Sequence, residues 1–331
     1  MSSGGAGGAW VRVSGVSRHL LLGFAAELIG VTVIAYRWGE LSLPAAVAVA
    51  IGLAVAGRWL VVLGSFALSY LLRGRESAPR SLGPGGLCRL VGEELWSVTK
   101  LFFVLHPLAP WLDRPDPPPA SRHGMPVLLV HGFFSNGGFW WSVKRWLSDR
   151  GISNLYTVNL EPVFADLDHM SMQLNHRIEQ ICTASESDQV MLVAHSMGGL
   201  VCRAYLRSVG ARRVAGMITL GSPHHGTALA GLLPGHSVSQ MRRGNAWLTT
   251  LEKEEKHTDL VPTRNLYSRH DNIVVPQDSA VLAWADNIPV DGVGHLSMAF
   301  TTGIKRQLGM ALADLSNGGA ANRSGENQRS R

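Results

Sequence analysis

The run Val190-Met191-Leu192-Val193-Ala194-His195-Ser196-Met197-Gly198-Gly199-Leu200 carries an apolar stretch into a serine flanked by small residues. A second apolar run with helical spacing follows at once. This pattern sets a serine on a sharp strand-to-helix turn, its hydroxyl exposed and a helix N-terminus beneath it. Small neighbours suit a strained turn that has no room for larger side chains. A serine hydroxyl is a weak nucleophile near neutral pH. It needs a histidine to take its proton, an acid to orient that histidine, and N–H donors for the developing oxyanion. A glycine-flanked serine in an ordinary strand–helix loop would need none of these.

On a sheet of this kind the acid and then the base follow the nucleophile in the chain. Gly199 to Val209 reads as a helix, and Arg213 to Leu220 as a strand ending at Gly221-Ser222-Pro223. Asn265 to Ser268 reads as another strand. Asp271 lies just past its C-terminal end, where active-site groups of open α/β sheets collect. Asp278, Asp286 and Asp291 compete for the acid role, but none of them directly follows a strand. Val290 to Leu296 places His295 in a glycine-containing loop ahead of an apolar helix, Ser297 to Leu315. His224, His225, His236, His257 and His270 fit the order or the position less well. For the oxyanion, one donor is the N–H of Met197, the residue after the serine. The other comes from an earlier strand–loop junction, Val127 to Phe134, where Gly132 lets the backbone turn and the N–H of Phe133 points at the substrate. His131 precedes the nucleophile and is expected to shape that loop by bonding nearby backbone.

Five ordered pieces resemble the bacterial lipase and esterase branch of the α/β-hydrolase superfamily. They are Val130-His131-Gly132-Phe133, Ala194 to Gly199, Gly221 to Thr227, Ser268 to Val274, and Gly294-His295-Leu296, within roughly residues 124–315. The resemblance implies an α/β-hydrolase fold, a mostly parallel sheet flanked by helices. It implies Ser196 as nucleophile, Asp271 as acid, His295 as base, Phe133 and Met197 as oxyanion donors, and no cofactor. One position departs: Ala194 stands where the G-x-S-x-G pattern has its first glycine. The adjacent His224 and His225 invite a metal reading, but neighbouring loop residues point apart and no Cys or carboxylate cluster joins them. No metal is expected. No acidic cluster supports the structural calcium of some secreted relatives.

Of 331 residues, 46% are hydrophobic and only 16% charged. The imbalance lies in the N-terminal part. Residues 20–36 are almost wholly apolar, and residues 43–72 form a longer apolar run interrupted by Arg58. Each approaches or exceeds the ~20 residues that span a bilayer. The link from Arg37 to Ser42 is short, so a transmembrane helical hairpin is expected ahead of the catalytic domain. A cleaved signal peptide and a buried soluble helix pair fit less well. Arg12 and Arg18 precede the first run, and Arg73, Arg75, Arg80 and Arg89 follow the second. Positive charge stays on the cytoplasmic side, which puts both ends and the catalytic domain there, at a bacterial inner membrane. Three scattered cysteines, Cys88, Cys182 and Cys202, form no disulfide framework and fit a reducing compartment. Glu27 and Arg58 are the charged intruders; an antiparallel hairpin brings their depths within reach of a pair, with a snorkelling Arg58 and a protonated Glu27 as the alternatives. The net charge of +6 is not read as nucleic-acid binding, since the basic residues gather beside the apolar runs and in the tail, where membrane lipids suit them better.

The expected divisions are a mobile N-terminus (1–18), the hairpin (19–72), a connector (73–122), the catalytic domain (123–315) and a disordered tail (316–331). The connector carries an amphipathic helix from Leu87 to Leu105, against the membrane or the catalytic domain, and a stiff Pro115–Pro119 linker. Ala228 to Asp259 is longer than a plain crossover and reads as a small cap. With Phe133, Phe134, Phe139, Trp140 and Trp141, its Met241 and Trp247 make an apolar acyl pocket, unless the aromatics are simply core. The expected protein is a membrane-anchored serine hydrolase that cleaves carboxylic esters, lipid or acyl-chain esters drawn from the bilayer, through an acyl-enzyme. An acyltransferase with the same triad and a non-catalytic membrane scaffold are the alternatives.

Overall fold

The structure, a computed structural model, describes residues 13–73, 81–112, 116–118, 124–255 and 260–329. Its centre is a six-stranded sheet: β1 (Val127–Val130), β2 (Leu155–Val158), β3 (Val190–His195), β4 (Val214–Leu220), β5 (Thr263–Ser268) and β6 (Asp286–Val290). The order is β2-β1-β3-β4-β5-β6 and every pair is parallel. β1 and β3 are buried throughout. Helices cover both faces of such a sheet, which is why these strands read as unbroken apolar runs.

The helices are α1 (Gly15–Arg37), α2 (Leu43–Leu71), α3 (Pro84–Lys100), α4 (Ala109–Leu112), α5 (Trp141–Ser148), α6 (Leu167–Ser185), α7 (Met197–Val209), α8 (His236–Gln240), α9 (Ala246–Glu255) and α10 (Thr302–Arg329). Leu128 and Val130 of β1 join a core with Met170, Leu174 and Ile178 of α6 and Leu200 and Val201 of α7. Their neighbours Val127 and Leu129 turn to the other face, to Val143 and Leu147 of α5 and Ile304 and Leu308 of α10. This is the period-2 alternation of a strand. Cys182 and Cys202 are buried on α6 and α7, and Cys88 is exposed. The expected cap region holds a 3₁₀ turn, α8 and α9. Sequence reading did not pick out β6. Its residues Asp286-Asn287-Ile288-Pro289-Val290 sit on the sheet edge, half-covered, so burial imposes no apolar pattern there.

α1 and α2 form an antiparallel hairpin, each helix long and apolar enough to cross a membrane. Ala46, Ala50 and Ala54 are fully buried at four-residue spacing, a small-residue stripe that permits close helix approach. The expected Glu27–Arg58 pair is present, with Arg58 Nη2 to Glu27 Oε2 at 2.9 Å. The Arg58 guanidinium also lies 4.3 Å from the Phe24 ring centre and 5.0 Å from that of Phe103.

α1 begins inside the segment set apart as the N-terminus: Ser14 caps it by accepting from Ser17 N, and Asn136 Nδ2 donates to Ser14 Oγ and Ser17 Oγ at 3.0 Å each. The connector helix is α3 followed by a π-helical turn, Leu101–Leu105, and it packs on α2 and the catalytic domain. Leu90, Glu94, Ser97 and Val98 are its buried side. The helical backbone of α10 runs through Arg329. Residues 1–12, Arg75, Arg80, Pro115, Pro119, His257 and Asp259, on which other expectations rest, lie outside the described residues.

Candidate active site

β3 ends at His195, and α7 begins at Met197. Ser196 between them has φ 53° and ψ −128°, a left-handed conformation that a residue with a Cβ adopts only when its surroundings enforce it. Here its N–H is held by Leu220 O at 2.9 Å. The turn is closed by glycines that no other residue can replace without movement. A Cβ on Gly132 would stand 2.8 Å from the Ser196 Cβ, and one on Gly198 would stand 2.7 Å from the carbonyl oxygens of Val130 and His131. The backbone N–H groups of Phe133 and Met197 have no hydrogen-bond partner among the described residues. Met197 directly follows Ser196, and Phe133 directly follows Gly132, whose backbone packs against Ser196.

Asp271 follows β5, and His295 follows β6. Asp271 Oδ2 accepts from His295 Nδ1 at 2.9 Å. Its other oxygen accepts the N–H groups of Ile273 (2.7 Å) and Val274 (2.8 Å). The carboxylate is therefore fixed from both sides. Asn272 Oδ1 accepts the His295 backbone N–H at 3.0 Å, and the His195 ring Nε2 donates to His295 O at 3.2 Å. The His295 ring lies 4.6 Å from the ring of His195, the residue before Ser196. No hydrogen bond joins Ser196 Oγ to His295 among the described residues; such contacts commonly tighten only when substrate is bound.

Five buried histidines lie among the described residues, and the fold treats one of them differently. Burial lowers the pKa of His106 to about 3 and of His131 to about 4, and drives His195 and His224 well below the ordinary value. Burial pulls on His295 too, but the Asp271 carboxylate, by charge and hydrogen bond, and Glu94 by charge, more than reverse it. His295 is raised. His131 is consumed by its loop: its Nδ1 donates to Gly132 O at 2.8 Å and its Nε2 accepts from Leu160 N at 3.1 Å. That is the loop-shaping role its position before the nucleophile suggests.

The rival acids are placed elsewhere. Asp286 pairs with Arg264, and Asp291 with Arg269 at 3.2 Å. Among the pocket residues, Phe134 packs with Phe133, Phe102 and Val163 and with Val16 and Leu20 of α1. Met241 and Trp247 join the core cluster that Phe133 also touches, and the Trp247 indole donates to Asp168 Oδ2 at 2.9 Å. Trp140 is fully buried in the cluster on the opposite face of the sheet, and Trp141 is exposed there beside Arg145. Phe139 stacks on the His195 ring at 4.1 Å. The His224 Nε2 meets Thr219 Oγ1 at 3.2 Å while His225 faces Glu252.

Sequence reasoning missed the N-terminal helices' part in this site. Ser69 of α2 donates to Asp271 O at 2.9 Å, and Ser65 accepts from Asn272 Nδ2 at 2.8 Å. Glu94 of α3 accepts the N–H groups of Leu296 and Ser297, the two residues after His295, at 2.8 Å each. The available signal was a carboxylate on the apolar side of a helix, in line with Leu90, Val98 and Leu101.

Residues 126–261 match the family described as palmitoyl protein thioesterase. The chain is 32% identical over 119 residues to a triacylglycerol lipase of Pseudarthrobacter phenanthrenivorans, covering 34% of this chain and 36% of the relative. A triacylglycerol lipase of Burkholderia plantarii is also 32% identical over 119 residues, covering 34% of this chain and 32% of the relative. The chain thus spans about a third of the length of these curated relatives. Among solved structures it is similar to Aspergillus fumigatus lipase B, with TM-score 0.52 and 21% identity over 60% of this chain and 55% of that one. It is also similar to Bacillus licheniformis lipase BlEst2, with TM-score 0.50 and 19% identity over 61% and 94%. With its parallel sheet, strand-to-helix serine turn and these likenesses, the chain has an α/β-hydrolase fold similar to that of lipases and esterases.

Proposed function

We propose that this protein hydrolyses carboxylic esters through Ser196, His295 and Asp271. Ser196 Oγ attacks the carbonyl carbon while His295 Nε2 takes its proton. Asp271 holds the resulting imidazolium, and the N–H groups of Phe133 and Met197 bind the oxyanion. Collapse expels the alcohol, which takes the proton from His295. Water then repeats the sequence and frees the acid. The observation that carries this reading is the electrostatic contrast among the buried histidines: the one bonded to a carboxylate, in the required chain order, is the one whose basicity is raised.

The substrate we propose is an acyl-chain ester drawn from a bilayer. The match to a palmitoyl thioesterase family and to triacylglycerol lipases supports a long acyl group. The hairpin supports the bilayer. Its docked end, Val16 and Leu20 of α1 and Ser65 and Ser69 of α2, touches the oxyanion loop and the acid loop. The part of α2 ahead of Arg58, Leu43 to Gly57, extends about 22 Å at 1.5 Å per residue. That is short of the ~30 Å hydrocarbon core, so a hairpin that spans it holds the site end of the domain against the membrane surface. The arginines beside the apolar helices support a cytoplasmic side for that surface.

Labelling by a fluorophosphonate tests the nucleophile. The wild-type chain is expected to label and Ser196→Ala to remain unlabelled; equal labelling of both refutes the assignment. An ester series of rising chain length, with and without an alcohol acceptor, then defines the acyl preference and separates hydrolysis from acyl transfer.

A further inference from the structure

We propose that Glu94 is a positioning residue for His295, the α3 carboxylate that fixes the turn from which the imidazole projects. The inference rests on the reading of His295 as the base. Glu94 is fully buried, and no cation pairs with it among the described residues. Its two oxygens are instead divided between consecutive backbone donors, Oε1 to Leu296 N–H and Oε2 to Ser297 N–H, both at 2.8 Å. A carboxylate in this fork fixes the peptide planes on the C-terminal side of His295. On the N-terminal side, Gly294 N donates to Ser297 Oγ at 2.9 Å and Ser297 Oγ donates to Gly294 O at 3.1 Å. Glu94 also dictates the residue before the base, because a Cβ on Gly294 would overlap its carboxylate. The Gly-His pair is therefore written by a helix 200 residues away in the chain.

The charge acts in the same direction as the geometry. Three titratable groups face His295: Asp271 from the loop after β5, Glu94 from α3 and His195 from the end of β3. Burial drives the Glu94 pKa up, the two N–H bonds and His295 draw it down, and the net is raised. The Glu94 charge adds to that of Asp271 in raising His295. Removing it while keeping the side chain's shape lowers the basicity of His295, so the acid limb of the reaction moves to lower pH.

The whole chain in detergent is treated with a fluorophosphonate over a pH series, and the second-order labelling rate at Ser196 is read by mass spectrometry. In Glu94→Gln one oxygen becomes an NH₂ facing an N–H, and the turn loses one of its two anchors. Labelling is expected to slow by about 10²-fold, the order that an ångström-scale misplacement costs. The midpoint of the acid limb is expected to fall. Glu94→Asp keeps the charge but falls one methylene short of the two donors, so it is expected to slow labelling while leaving the midpoint near that of wild type. A wild-type rate or an unmoved limb in Glu94→Gln overturns the proposal. If that variant does not fold, Glu94→Asp decides: slower labelling at an unmoved midpoint supports the proposal, and wild-type labelling overturns it. Failure of the underlying triad reads differently, because the wild-type chain itself then takes no label at Ser196.

Discussion

Asp271→Asn separates the orientation of the histidine from the stability of its loop. Asp271 Oδ1 accepts from the N–H groups of Ile273 and Val274, so the amide oxygen of an asparagine must stay on that side. The alternative flip would set an NH₂ against two donors, each left buried without a partner, which costs about 1–3 kcal/mol per group. The asparagine NH₂ is thereby aimed at His295 Nδ1, 2.9 Å away in the wild type, and a donor there makes Nδ1 an acceptor. The ring proton moves to Nε2, the nitrogen that must take the proton of Ser196. The variant therefore keeps its loop and holds the wrong tautomer. The expected loss in labelling rate at neutral pH is about 10⁴-fold, or about 5.4 kcal/mol at 1.36 kcal/mol per decade. The melting temperature is expected to stay close to that of wild type, since the backbone bonds of the loop are kept. The assay is fluorophosphonate labelling at several pH values alongside a thermal melt. A rate within tenfold of wild type, with an unchanged melt, refutes the tautomer argument and with it the role given to Asp271.

Two further outcomes concern the scaffold. Arg203 of α7 and Glu255 of α9 form a buried two-point pair at 2.7 Å, and Arg203 also donates to His224 O at 2.7 Å. Arg203→Met strands a buried carboxylate and is expected to destabilise by about 3–5 kcal/mol, with the double change Arg203→Met, Glu255→Met recovering much of it; a denaturant melt in which the single change costs under 1 kcal/mol contradicts the account. In the hairpin, Glu27→Arg or Arg58→Glu alone sets like charges together, whereas the double swap restores the pair. The expected coupling is about 1 kcal/mol in a double-mutant cycle on thermal stability in detergent, and strictly additive effects would show that the 2.9 Å contact contributes nothing.

The serine turn was legible because a βα turn compressed into His195-Ser196-Met197-Gly198-Gly199 leaves a local record: apolar strand, small residues, apolar helix. The acid and base loops were legible for a related reason. Asp271 stands where β5 gives out, which ranked it above Asp291, and His295 lies in a glycine-containing loop ahead of an apolar helix, after both the serine and the aspartate, which ranked it above His270. The Glu27–Arg58 pair was one of the arrangements that helix depth in a short-looped hairpin left open, and packing decided for it. Trp140 was harder to place because both faces of this sheet are buried, and an aromatic residue reads the same whether it fills the core or lines a cavity. β6 was missed because an edge strand need not be apolar.

The sequence by itself determined the fold class, the serine turn, the order of the three proposed catalytic side chains and the two long apolar helices. All of these are written in contiguous residues or in periodicities of two and about four. Tertiary structure alone decided that those apolar helices are part of the site's framework. Ser65 and Ser69 lie about 200 residues before the acid loop they bond, and Glu94 the same distance before the base loop. Contacts of that range leave no periodic trace. A serine or glutamate on a helix has the same letter whether it faces solvent or holds the backbone of a distant loop, and only the packing of the helix against the sheet distinguishes the two.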